Sequence, residues 1–298
     1  MSPGELYSAR REDLYYPCKN ATFFPLGEPN SEAALCAEIS RIAYCEQEGS
    51  FAFDRERIQN ALAAAGLTAR EFFESPGRDE NGGFHGFLAM REAAEEADRL
   101  AVIAFRGTDK DDPSNLLADG DALFEPWARG GEVHRGFARA LGELRAGLEG
   151  VRAGMERRIL FTGHSLGAAM ATLLASAWKR PAETRDALYT FGSPRVGDAE
   201  FVATLDGLAG GRYVDCCDAV TLVPPEILGY QHFGPAFYID RGRGVSFDPG
   251  AEFLLTDKVA AVAEYVKEYA WRIGNVDIRE LADHAPINYV LAVGSNPP

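Results

Sequence analysis

The pentapeptide Gly163-His164-Ser165-Leu166-Gly167 sets a serine hydroxyl between two glycines. A serine so placed fits a strand–turn–helix elbow, a strained turn that lifts the hydroxyl above the end of a sheet. The flanking sequence suits such a turn. Ile159-Leu160-Phe161-Thr162 leads in as an apolar strand, and Leu166 to Trp178 leaves with helical composition. The chemistry is nucleophilic attack on a carbonyl carbon, with a helix N-terminus below that favours the negative charge which develops. The backbone N–H of Leu166, next after the serine, is placed to hold that charge. His164 reads as a packing and hydrogen-bonding residue, because a base must reach Ser165 from another loop.

Such a serine needs a base and an orienting acid, in the chain order serine, acid, histidine. His232 and His284 are the two histidines after Ser165, and order alone admits either. The acid candidates, Asp215 and Asp218, lie in Tyr213-Val214-Asp215-Cys216-Cys217-Asp218. Asp218 is preferred. It follows a strand read over 212–217 and so falls at the carboxyl end of the sheet, where such sites lie. Asp215 lies inside the strand, where a buried acid needs a partner of its own.

The positioning elements alternate. Strands are read at 84–90, 100–105, 158–162, 187–191, 212–217 and 236–240, and helices at 32–48, 55–65, 68–74, 136–155, 166–178, 198–208 and 251–272. The run 100–105 is wholly apolar, as in a strand buried on both faces. Strand–helix alternation implies a largely parallel sheet with helices on both sides. We read residues 1–298 as one α/β domain, with an irregular arm over 1–30, a helical segment over 31–80 and a core over 84–298.

Net charge is −15, from 45 acidic and 30 basic residues, with no basic run. No nucleic-acid partner is expected, and binding to strongly anionic membranes would work against electrostatic repulsion, while neutral or cationic ligands meet no such barrier. The five cysteines, Cys18, Cys36, Cys45, Cys216 and Cys217, are odd in number and lack metal-ligand spacing, so they read as free, buried thiols. No metal or organic cofactor is needed by the chemistry. The first twenty residues carry no apolar leader, and no run approaches the ~20 residues that span a bilayer. This leaves the cytoplasm, signal-independent export, or a chain shown without its leader. The oligomeric state is not written in the sequence.

Seven segments carry a resemblance. They are AFRGT at 104–108, VHRGF at 133–137, GHSLGAA at 163–169, FGSPRVGDAEF at 191–201, DAVTLVPP at 218–225, YQHFG at 230–234 and DHAPINY at 283–289. In this order they resemble the class 3, fungal-type lipase family of the α/β-hydrolase superfamily. The resemblance implies an α/β-hydrolase fold, with a mostly parallel central sheet flanked by helices and a lid segment near 109–132. It implies Ser165 as nucleophile, Asp218 as acid, His284 as base and His232 as structural. Thr108 joins Leu166 as the second oxyanion donor.

The activity implied is hydrolysis of acylglycerols or other lipid esters through an acyl-enzyme. Phospholipase activity and short-chain or aromatic (feruloyl-type) esterase activity are the alternatives. A binding module without turnover is not expected, since the full triad is present. The implied partner is a lipid or small-molecule ester, with transient contact at a lipid interface. The lid segment mixes Leu116, Leu117, Leu123, Phe124 and Trp127 with Asp109, Asp111, Asp112, Asp119, Asp121 and Glu125, which argues for weak interfacial activation. Its Asn115…Asp119 spacing fits the family, and its Ser-Asn-Leu-Leu-Ala-Asp stretch resembles the polar flap of fungal feruloyl esterases. The chain departs from the family in the residues after Asp218, in Ala168 where glycine is commoner, and through most of its first hundred residues.

Overall fold

Ten strands form in the computed structural model, which describes residues 6–75, 83–95, 99–107, 123–152, 155 and 157–296. They are β1 (Thr68–Glu74), β2 (His85–Arg91), β3 (Leu100–Phe105), β4 (Phe124–Pro126), β5 (Glu132–His134), β6 (Arg158–His164), β7 (Ala187–Phe191), β8 (Ala209–Asp215), β9 (Ala236–Ile239) and β10 (Val245–Phe247). Strands β4 and β5 pair as a separate hairpin, and the other eight make one sheet in the order β1-β2-β3-β6-β7-β8-β9-β10. The run from β3 to β9 is parallel, and the pairs at both edges are antiparallel.

The described helices are α1 (Arg11–Tyr15), α2 (Glu32–Ile42), α3 (Arg55–Ala63), α4 (Arg135–Glu143), α5 (Arg145–Arg152), α6 (Leu166–Ala177), α7 (Ala199–Ala203), α8 (Ala251–Glu268), α9 (Arg279–Ala282) and α10 (Pro286–Ser295). Ser31, Asp54 and Asp198 cap α2, α3 and α7 with their side chains, as their residue types favour. Strand β3 shows how the sheet carries two cores. Leu100, Val102 and Ala104 face α2, α3 and α10, whereas Ala101, Ile103 and Phe105 face α4, α5 and α6. Successive side chains of a strand point to opposite faces, so a wholly apolar strand serves both.

Several elements differ from the sequence expectation. Segment 68–74, expected helical, is the edge strand β1. Its Ala, Arg and Glu favour a helix locally, but pairing with β2 and burial of Phe73 decide otherwise. The single helix expected over 136–155 breaks at Leu144 into α4 and α5. The helices expected over 32–48, 198–208 and 251–272 stop at Ile42, Ala203 and Glu268. The arm expected to be irregular contains α1. Strands β4, β5 and β10 and helices α9 and α10 form where the sequence pattern marks no element. Helix α10 opens with Pro286, which suits a first helical position where no N–H partner is required.

All five cysteines are free and buried. Among the described residues, no helix is long and apolar enough to cross a membrane.

Candidate active site

Strand β6 ends at His164 and α6 begins at Leu166, leaving Ser165 alone in the turn with φ 58° and ψ −129°. A non-glycine residue held there costs on the order of 1–3 kcal/mol, so the surroundings must impose it. They do so by close approach. A Cβ on Gly163 would run into the Gly167 carbonyl, and one on Gly167 into the Phe105 carbonyl. The end of β6, the start of α6 and the end of β3 are thereby pressed together, and only glycines fit. The Ser165 amide donates to the Phe191 carbonyl of β7 at 3.1 Å, and its hydroxyl makes no capping bond to α6. The Leu166 amide is in the first turn of α6, where backbone N–H groups have no helical partner.

Asp218 stands three residues past β8 and is buried. Its Oδ1 accepts from the Val220 amide at 2.9 Å, capping a short 3₁₀ turn. Its Oδ2 accepts from His284 Nδ1 at 2.9 Å and from the Tyr289 hydroxyl at 2.5 Å. His284, also buried, sits between α9 and α10. With Nδ1 donating to a carboxylate, its Nε2 is left to accept a proton. A Cβ on Gly192, which has φ 58°, would lie 2.7 Å from Asp218 Oδ2 and 3.0 Å from His284 Nδ1. The end of β7 thus forms one wall of the acid–histidine pair.

His164 links the two halves. Its ring lies 4.5 Å from that of His284 between centroids, and its Nε2 donates to the His284 carbonyl at 2.8 Å. A carbonyl only accepts, so Nδ1 must accept from the Tyr44 hydroxyl, 2.8 Å away. His284 thus packs on the residue that precedes Ser165. Among the described residues no hydrogen bond joins Ser165 and His284 directly. The Tyr44 hydroxyl also occupies the place where a Cβ on Gly107 would project, and that Cβ would be 3.1 Å from Ser165 Cβ. The chain leading to position 108 therefore passes directly against the serine. Thr108 itself, and residues 109–122 of the expected lid segment, with Leu116, Leu117, Asn115 and Asp119, lie outside the described residues.

The remaining sequence candidates form the supporting shell. Asp215 is the last residue of β8, not interior to a strand over 212–217 as expected; it is buried, and both its oxygens accept from Arg243 Nη1 at 2.8 Å, so this acid has a partner of its own. Arg243 Nη2 continues to the Asn288 carbonyl at 2.6 Å, next to Tyr289, whose hydroxyl accepts from the Asp215 amide at 3.1 Å. His232 donates from Nε2 to the Thr221 carbonyl at 2.8 Å and so braces the loop after Asp218. Arg195 clamps the same loop through the Leu222 and Pro224 carbonyls at 2.5 and 3.1 Å. Cys216, Cys217 and Asp283 also come together. Both Asp283 oxygens are already taken there, by the Tyr7 hydroxyl, the Cys217 amide and Arg279.

In the described part of the segment expected to be a lid, Phe124 stacks on Tyr230 at 4.1 Å and Trp127 donates to Ser176 Oγ at 3.0 Å. These two side chains belong to the body of the protein. Leu123 is exposed.

Burial pushes the pKa of His164 well below its ordinary value, with His284 adding to the effect; burial and then Arg212 do the same to His232. Both are neutral when folded. Unfolded, each returns to about 6.5. A depressed histidine loses stability as pH falls through the unfolded value, because the unfolded state then binds the extra proton. Below about pH 6 the two together should remove stability with a slope approaching 2.7 kcal/mol per pH unit, about 1.4 for each. Urea midpoints at pH 7 and pH 5 test this, and equal midpoints would count against it.

Residues 102–228 match the family described as Lipase (class 3). A secreted mono- and diacylglycerol lipase of Fusarium solani is 34% identical over 117 residues, covering 37% of this chain and 35% of that protein. A Rhizomucor miehei lipase is 31% identical over 160 residues, covering 49% and 44%. The chain thus spans between about a third and a half of the length of these two relatives. Among solved structures, the native propeptide complex of Rhizomucor miehei lipase superimposes with a TM-score of 0.52 at 25% identity, covering 70% of this chain and 66% of that one. The lipase from Rhizopus microsporus var. chinensis, at 22% identity, has the same fold with a TM-score of 0.55 over 74% and 80%. Over residues 102–228, less than half of its length, the chain is similar to the class 3 lipase family, and its mostly parallel sheet flanked by helices is the fold of the fungal lipases it superimposes on.

Proposed function

We propose that this chain is a serine carboxylic ester hydrolase acting on acylglycerols or related lipid esters. The observation that carries it is the His284–Asp218 hydrogen bond, set beside a serine held at φ 58° on a strand–helix elbow. His284 Nε2 takes the Ser165 proton as the hydroxyl attacks the ester carbonyl. The tetrahedral oxyanion is held by the Leu166 amide and Thr108. Collapse gives an acyl-serine and an alcohol, protonated by His284, and water repeats the cycle. Asp218 fixes the ring and stabilises the imidazolium that forms. A Ser–His contact tightens as substrate binds, so its absence at rest does not stand against the mechanism. Mono- and diacylglycerols are the favoured substrates, because several relatives carry those names.

A phospholipase reading has one specific support. Phospholipase A1-IIgamma of Arabidopsis thaliana is 37% identical over 98 residues, which cover 23% of that protein. The reading of residues 1–298 as one domain draws support from a core that α2 and α10 share with β2 and β3.

A substrate panel tests the function. It should include p-nitrophenyl esters of increasing acyl length, diolein, tributyrin and phosphatidylcholine, with a serine-directed phosphonate alongside. Turnover and covalent labelling are expected. Neither turnover nor labelling would overturn the hydrolase reading, and a preference for phosphatidylcholine would select the phospholipase.

A further inference from the structure

Helix α8 runs past the catalytic end of the sheet. Strand β10 returns toward the amino ends of the parallel strands, so α8 sets out from there toward the carboxyl ends. The Ala261 carbonyl accepts from Arg279 Nη1 at 3.1 Å, and the Lys258 carbonyl lies 3.9 Å from the Cys217 thiol. Cys217 adjoins Asp218, and Arg279 is five residues before His284. Residues 258–261 therefore mark the level of the acid–histidine pair. From Ala261 the helix continues to Glu268, about 10 Å further at 1.5 Å per residue. The turn at 269–278 then leads back to α9.

This projecting tip is apolar and rigid. Val266, Trp271 and Ile273 are exposed, Trp271 to 70% and Ile273 fully. Leu255 and Val259 extend the stripe down the helix. The Trp271 indole N–H donates to the Lys267 carbonyl at 2.9 Å, so its one polar group is spent internally. The tip is braced from behind. The Tyr265 hydroxyl donates to the Val276 carbonyl, the Val276 amide to the Ala9 carbonyl, and Tyr7 packs edge-on against Tyr265 and Tyr269. Single exposed apolar residues are ordinary, but a braced group at the substrate end is not.

The charges select the occupant. Lys267 and Arg272 flank the apolar group, with the exposed Glu268 between them in the chain, so the tip carries charges of both signs, and the Arg272 guanidinium lies 5.7 Å from the Trp271 ring. Apolar chains below and phosphates at the level of the cations describe a phospholipid surface, where tryptophan is favoured at the boundary. A net charge of −15 opposes an anionic surface. We propose that the α8 tip is a contact site for the surface of zwitterionic lipid aggregates, which brings the catalytic end to esters held there. The proposal rests on the lipid-ester reading of the site.

The test uses the full chain and phosphatidylcholine vesicles. Trp127 and Trp178 are half-buried and buried, so Trp271 is the exposed tryptophan and reports its own environment. The wild type should co-sediment with the vesicles, and its emission should shift to the blue. That shift should vanish in Trp271→Phe. The pair Val266→Ser with Ile273→Ser should bind vesicles about tenfold more weakly or worse. Its turnover of diacylglycerol embedded in vesicles should fall in step, with turnover of soluble p-nitrophenyl butyrate unchanged. A wild type that stays in the supernatant, binding without a shift in emission, or equal binding by the double variant would each overturn the proposal. So would a dimer that the double variant turns into a monomer, since a second copy would then cover the tip. Vesicle binding with the blue shift but no soluble-ester turnover would support the contact and overturn the hydrolase reading instead.

Discussion

Replacing Ser165 with alanine is expected to lower kcat for a p-nitrophenyl ester by roughly 10⁵- to 10⁶-fold, while the thermal midpoint stays close to that of the wild type. The hydroxyl caps no helix, so stability loses little with it. The strained turn is imposed by the glycine contacts around it, and alanine inherits the same φ. His284→Ala should fall by a similar amount, because nucleophile and base act as one unit, and the double variant should fall no further. His232→Ala separates the two histidines. Its imidazole donates to a loop carbonyl, so activity should persist in a less stable protein. An inactive His232→Ala beside an active His284→Ala would move the base to the other loop. A phosphonate that labels Ser165→Ala as fast as the wild type would remove the nucleophile assignment.

The second large effect lies behind the site. Arg243→Ala should destabilise the fold by about 3–5 kcal/mol, because it leaves Asp215 buried without its counter-charge. In a chain of this size that lowers the thermal midpoint by about 10 °C. Activity should fall as well, since Arg243 holds the Asn288 carbonyl beside Tyr289, and Tyr289 donates to Asp218. Replacing both partners by apolar residues of similar volume should recover much of the stability, because removing a whole buried pair costs far less than breaking it. Thermal melts of the single and double variants decide this. An unchanged midpoint in Arg243→Ala would show that Asp215 does not depend on the pair.

The serine, its elbow and the parallel strands were legible because they are local. A hydroxyl between glycines, an apolar run before it and a helical run after it sit within twenty residues. Asp218 was legible from its place just past a strand. Tyr44, Tyr289 and Arg243 were not, although all three shape the site. Tyr44 meets His164 across 120 positions, and Tyr289 meets Asp218 across 71. No spacing rule marks a tyrosine for such a contact, and only closing the fold creates it. The AYC stretch at 43–45 lies outside the seven segments that carry the resemblance. Strand β1 was misread for the converse reason. Its residues favour a helix when considered alone, and a neighbouring edge overrides them.

The five thiols have a practical corollary. All are buried and none is bridged, so the fold needs no oxidant to assemble and no shuffling step to refold. A cysteine introduced on an exposed loop would be the one thiol that a maleimide dye meets in the native state. Fluorescent or spin reporters can therefore be attached at chosen points without first stripping out the native cysteines.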